Sequence, residues 1–95
     1  MPELRTQPTP NPNALKFSLA DTRLLESGLL AFNSSAEAAA HPFASALFAV
    51  QGVANVFITP DFATITKHPA ADWGQMMPSL REAFGDYAKN LASMS

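Results

Sequence analysis

The chain has 95 residues, a net charge of −2 and a pI near 5.5, with 47% hydrophobic and 15% charged residues. A domain of this size buries roughly 60–65% of the surface that its unfolded chain exposes, enough for one core without staples, and residues 1–95 are read as a single domain. The six Lys and Arg are scattered, which argues against nucleic acid or an anionic membrane as partner, and the absence of Cys excludes disulfides, thiolate nucleophiles and thiolate ligation of zinc or iron–sulfur clusters by these residues.

No apolar run approaches the roughly 18 residues of a membrane span. The opening Met1–Pro10 has no apolar stretch of the kind that a secretory signal needs, and a cytoplasmic protein is expected. The low charged share implies either a surface short of charge or a partner.

Glu3–Gln7 reads as an edge strand. Pro8, Pro10 and Pro12 then force extended or turn conformation and forbid helix. In Ala14–Leu19, Leu15, Phe17 and Leu19 alternate with Lys16 and Ser18, the pattern of a half-buried strand. The two strands pair antiparallel across the proline-rich connection. Ala20–Ser27 is ambiguous: its leucines could be helical, but Ser27-Gly28 breaks the run, and a loop followed by a short strand near Leu29–Phe32 is preferred. Ser34 and Glu37 fit a capping box for a short helix to about Ala40. Pro42 suits the first turn of a second helix, Phe43–Gln51, with Phe43, Leu47 and Val50 as its buried stripe. Gly52 sits where a left-handed residue ends a helix.

Val53–Lys67 carries the strongest signal, two β-rich runs around Thr59-Pro60-Asp61. Ala54, Val56 and Ile58 share one side of the first run, and Val53, Asn55 and Phe57 the other. Ala63 and Ile65 oppose Phe62, Thr64 and Thr66 in the second. Pro60 presets φ, and Asp61 is expected to bond its own backbone, which places the reversal at Thr59–Phe62. One face is aliphatic and the other mixes Asn, Thr and Phe, as in an antiparallel sheet covered on one side. Asp72–Leu91 is the last helix, capped by Asp72, and its stripe from Trp73 to Leu91 covers the aliphatic face. Pro78 should kink that helix or reset its start. The sum is an α+β domain, a small antiparallel sheet of about four strands with about three helices packed on one face.

Chemistry is not indicated. His41 and His68 each precede a proline at an element boundary, and neither has a second ligand at metal spacing. Asp61 and Asp72 have turn and cap roles. No nucleophile elbow or phosphate-binding glycine loop occurs. Phe57 and Phe62 fall on the uncovered face beside Lys16 and Thr64. They form either a partner surface or a cross-strand packing pair.

The residues Thr9-Pro10-Asn11-Pro12-Asn13-Ala14-Leu15-Lys16-Phe17 resemble the TPNPNALKF signature of the N-terminal domain of Nfu/NifU-like iron–sulfur scaffold proteins. Pro42-Phe43-Ala44 with Leu47-Phe48, Gly52-Val53 with Val56-Phe57, Asp61-Phe62 through Lys67, and Asp72-Trp73 with Pro78 are similar to further motifs of that family, in the same order. His41, Ala63 and Met77 depart mildly, where the family commonly has Ser, Ile and Lys. Full-length members add a C-terminal domain whose Cys-x-x-Cys holds the cluster. With no Cys here, those ligands carry over to no position.

The resemblance implies a stand-alone, non-enzymatic domain that binds no cofactor by itself and meets an iron–sulfur cluster only through a partner. The partners it implies are iron–sulfur assembly proteins or a cluster-carrying scaffold. The partner-binding residues are then Thr9, Asn11, Asn13, Lys16, Asp61, Phe62, Thr64 and Lys67. The competing reading is a rigid turn and a packed strand pair with no partner. Alternative functions are a small-ligand domain, a homodimer paired through the first strand, or weak metal binding by carboxylates.

Overall fold

Alternating apolar residues build one antiparallel sheet whose strand order is β1-β2-β5-β4-β3. A computed structural model describes residues 3–20 and 22–94, with side chains through residue 91. The elements are β1 (Leu4–Pro8), β2 (Ala14–Leu19), β3 (Leu30–Phe32), α1 (Ser35–Ala38), α2 (Pro42–Phe48), β4 (Val53–Ile58), β5 (Ala63–Lys67) and α3 (Trp73–Met94). The class is α+β, as expected, with five strands rather than about four. The short β3 falls where a strand near Leu29–Phe32 was expected, and it pairs Leu30 with Ile58 and Phe32 with Val56. Those two pairings place both of its apolar side chains on the core side, enough to hold a three-residue edge.

The register puts Phe17, Ala63, Ile65, Val56 and Ile58 on one face, all fully buried. Helices α2 and α3 cover that face through Phe43, Leu47, Met76, Leu80 and Phe84. Phe17 stacks on Phe84 at 5.3 Å, and Phe84 meets Phe43 edge-on at 5.1 Å. Val53 corrects the simple alternation. A bulge between Val53 and Asn55 shifts the register, and Val53 turns into the core instead of joining Asn55 and Phe57.

The turn chemistry follows the sequence closely, with one exchange of role. Ser34 caps α1 by accepting from the Glu37 N–H at 3.2 Å, while the Glu37 carboxylate reaches back to the Asn33 N–H at 3.3 Å. His41 caps α2, its Nδ1 accepting from the Ala44 N–H at 3.2 Å. In the β4–β5 turn it is Thr59, not Asp61, whose side chain bonds the backbone. Its hydroxyl accepts from the N–H groups of Asp61 (3.3 Å) and Phe62 (3.1 Å).

Helix α3 runs unbroken through Pro78, so its start is not reset there. Proline offers no N–H to the carbonyl of Gly74, one turn earlier. Pro78 and Gly74 are both exposed, so the missing bond falls on the outer side of the helix, where an unpaired carbonyl costs least. Asp72 caps it, its Oδ2 accepting from the Gln75 N–H at 3.3 Å.

Candidate functional site

Among the described residues the second face of the sheet carries no helix. Register places Gln7, Lys16, Thr64, Phe57 and Ala31 in one transverse row that crosses all five strands. At the usual strand spacing such a row is about 19 Å long. Lys16, Thr64 and Phe57 are half-buried, and Gln7 and Ala31 are exposed. The Lys16 ammonium lies 4.2 Å from the centroid of the Phe62 ring, a cation–π contact across the open face. Asn55 and Asn33 are hydrogen-bonded through their side-chain amides on the same side. This is a polar–aromatic surface that spans the sheet.

The proline-rich turn closes one end of the sheet. Ala14 donates its N–H to the carbonyl of Asn11 at 3.0 Å. Asn13 donates its N–H to Asn11 Oδ1 at 2.9 Å. The Thr9 hydroxyl accepts from the Asn11 N–H at 3.1 Å and lies within reach of the carbonyls of Asn11 and Ala14. Three ties come from distant elements, one of them the Lys67 backbone N–H, which donates to the Asn13 carbonyl at 2.7 Å. The Trp73 indole N–H of α3 donates to the Pro12 carbonyl at 3.3 Å, and Lys67 of β5 donates from Nζ to Asn13 Oδ1 at 3.1 Å. Pro10, Asn11 and Pro12 face solvent.

The eight residues singled out in the sequence therefore fall into three groups. Thr9, Asn11, Asn13 and Lys67 gather at the proline turn. Lys16 and Thr64 sit side by side in the middle of the open face. Asp61 and Phe62 immediately precede β5, Phe62 about 13 Å along the strand direction from Thr66 by the usual rise, with its ring against the Lys16 ammonium. Lys67 is not on the open face. It shares the inward phase of Ala63 and Ile65 and is buried, a placement that the period-two pattern of β5 already encoded. Trp73 and Phe57 complete the two surfaces. Their signals were helical spacing and strand alternation, neither of which separates a contact residue from a core one.

Two clefts flank α3. One, of about 470 Å³, lies among Gln51, Gly52, His68, Asp72, Gln75 and Ser79. The other, of about 510 Å³, lies between α2 and α3 beside Phe43, Ala46, Tyr87 and Leu91. Among the described residues no group of three or more His, Cys, Asp or Glu gathers as a metal site. Among the described residues no helix is long and apolar enough to cross a membrane.

An α+β domain with one helix-covered sheet face, one open face and a tied proline turn is the class that this geometry defines. The chain belongs to the family described as "Scaffold protein Nfu/NifU N terminal", whose model matches residues 4–91. It is 39% identical over 85 residues to the human "NFU1 iron-sulfur cluster scaffold homolog, mitochondrial", covering 88% of this chain and 33% of that protein. It is 34% identical over 92 residues to "Conserved virulence factor C" of Staphylococcus aureus, covering 97% of this chain and 24% of that protein. The chain thus spans a quarter to a third of the length of these relatives. The solution structure of a NifU-like protein from Saccharomyces cerevisiae superposes with a TM-score of 0.77 at 28% identity, over 97% of this chain and 80% of that one. A crystal structure from Staphylococcus aureus gives a TM-score of 0.72 at 23% identity, a likeness of fold alone.

Proposed function

We propose that this domain serves iron–sulfur cluster assembly or delivery as a non-catalytic contact module. Its family membership supports the cluster context, and the name of its human relative states that context outright. The observation that carries the contact role is the open sheet face, where Lys16, Thr64, Phe57 and Phe62 form a polar–aromatic surface with no helix over it. In this reading Lys16, Thr64, Phe62 and Asp61 touch the partner on that face, and Asn11 touches it at the turn. Thr9, Asn13 and Lys67 shape the turn from behind. With no Cys in the sequence, the cluster is held by the partner.

The test is affinity capture on the immobilised domain from its native cell, with every retained protein identified. Enrichment of iron–sulfur assembly proteins or of a cluster-carrying scaffold, lost on Lys16→Glu and Phe62→Ala, is the expected result. Retention of the same proteins by both variants would remove the open face from the proposal. Capture of no assembly protein would remove the function.

A further inference from the structure

Lys67 is the buried charged side chain among the described residues, with 9% of its surface exposed. A lysine at a strand end ordinarily runs its stem along apolar surface and lifts the ammonium into water. Here Nζ turns toward Asn13 Oδ1 at 3.1 Å and the carbonyls of His68 and Pro69 at 3.4 and 3.5 Å. Among the described residues no carboxylate pairs with it. All its partners are neutral oxygens, and the backbone N–H of the same residue donates to the Asn13 carbonyl at 2.7 Å.

An apolar side chain of similar volume would fill this place without desolvating a charge. Packing therefore gives no reason for the ammonium, whereas its hydrogen bonds do. Three independent ties reach the proline turn from elsewhere in the chain. Two come from Lys67, and the third comes from Trp73, 61 residues away from Pro12. Two of them end on Asn13 and the third on the Pro12 carbonyl. Pro10, Asn11 and Pro12 are exposed.

We propose that Lys67 is a positioning residue: its buried ammonium, acting with the Trp73 indole, fixes the turn in the shape in which Pro10, Asn11 and Pro12 meet a partner protein. The partner half of this inference rests on the contact-module reading above. The positioning half rests on the hydrogen bonds alone. A turn ordered in advance loses less conformational freedom when it docks, which is where a tied loop gains affinity.

The experiment compares Lys67→Met, close in volume but without donor or charge, with Lys67→Arg, which keeps both. Trp73→Phe serves as a second variant that leaves β5 intact. Amide exchange is followed residue by residue, and affinity is measured for the assembly protein retained in the capture experiment. In Lys67→Met the amides of Asn13 and Ala14 should exchange roughly tenfold faster or more, as expected for the loss of a charged hydrogen bond. The amides of Val56 and Ile65 should keep their protection. Affinity should fall in Lys67→Met and in Trp73→Phe, and Lys67→Arg should recover most of it. A uniform loss of protection across the sheet, with the turn no more affected than Ile65, would overturn the positioning role. Unchanged affinity with a loosened turn would overturn it as well. Should the unmodified domain retain no assembly protein, the contact-module reading fails, and the exchange data by themselves decide what Lys67 does.

Discussion

The phenol of Tyr87 donates to the backbone carbonyl of Leu24 at 2.5 Å, joining α3 to the long loop before β3. The same ring stacks on Phe43 of α2, 3.9 Å between centroids and within 2° of parallel. Leu24 in turn gives its N–H to the carbonyl of Pro60 in the β4–β5 turn at 2.9 Å and is itself buried. One aromatic side chain thus links the helical layer, the loop and the hairpin.

Burial holds the Tyr87 phenol above its ordinary value near 10. The phenol is neutral when protonated, so as pH rises the unfolded chain loses this proton first, and the folded state then binds more protons. The contribution is fully present below pH 10 and is lost as pH climbs through the raised folded value. Tyr87 is the single tyrosine, and phenolate absorbance reports it alone. The titration should be displaced upward in the folded protein and return to the ordinary position in urea. Tyr87→Phe should remove the hydrogen bond at a cost of about 1 kcal/mol near neutral pH and remove this alkaline fall in the urea midpoint. An undisplaced absorbance titration would refute the account.

Gly52 and Gly28 both adopt positive φ, +103° and +77°. Their surroundings differ. A Cβ on Gly52 would lie 2.8 Å from the Ala71 Cβ and 3.1 Å from the Met76 sulfur, whereas one on Gly28 would meet nothing within 4 Å. Gly28→Ala should therefore cost only the backbone strain, about 1 kcal/mol. Gly52→Ala adds a collision with the start of α3 and should cost clearly more, about 2–4 kcal/mol. Equal urea midpoints for the two variants would show that space around Gly52 is not limiting.

Pro78→Ala should stabilise the domain. In a helix interior Pro is about 3 kcal/mol worse than Ala, and roughly 1 kcal/mol of that is offset by the freedom that Pro removes from the unfolded chain. The net gain should be about 1–2 kcal/mol. At 4–8 °C per kcal/mol for a domain of this size, thermal unfolding should shift upward by roughly 5–15 °C. A fall in the midpoint would mean that Pro78 contributes packing that its exposed position does not suggest.

Features written into consecutive residues were legible before any coordinates. The alternation in β2, β4 and β5, the Ser34 and Asp72 caps and the positive φ of Gly52 are each a matter of a few neighbours, although α2 ends at Phe48 with Ala49 as its C-cap and not at Gln51 before Gly52. What escaped depends on registry between distant segments. The bulge that turns Val53 inward is a mismatch of β4 against β5. The continuity of α3 through Pro78 depends on which side of the helix meets water. The candidate surface was legible as residue types but not as an arrangement. Asn13 and Lys67 are 54 positions apart, and their bond exists because β2 lies beside β5.

The two sheet faces should respond oppositely to substitution. Phe17 is fully buried between Trp73 and Phe84, so Phe17→Ala should cost about 3–5 kcal/mol, a large share of the stability of a domain this small. Phe57, half-buried on the open face, has no helix above it. Phe57→Thr places a β-branched side chain, also favoured in strands, at this position and should cost less than about 1 kcal/mol. Lys16 and Phe62 should be coupled by about 0.5–1 kcal/mol in a double-mutant cycle, the range for an exposed cation–π pair. Urea unfolding gives all three quantities. If the open face is a docking surface, Phe57→Thr leaves folding nearly untouched and still weakens the captured complex. If its only role is cross-strand packing, the stability loss is larger and the complex is unaffected. The ratio of binding loss to stability loss at Phe57 therefore separates the two readings of this face.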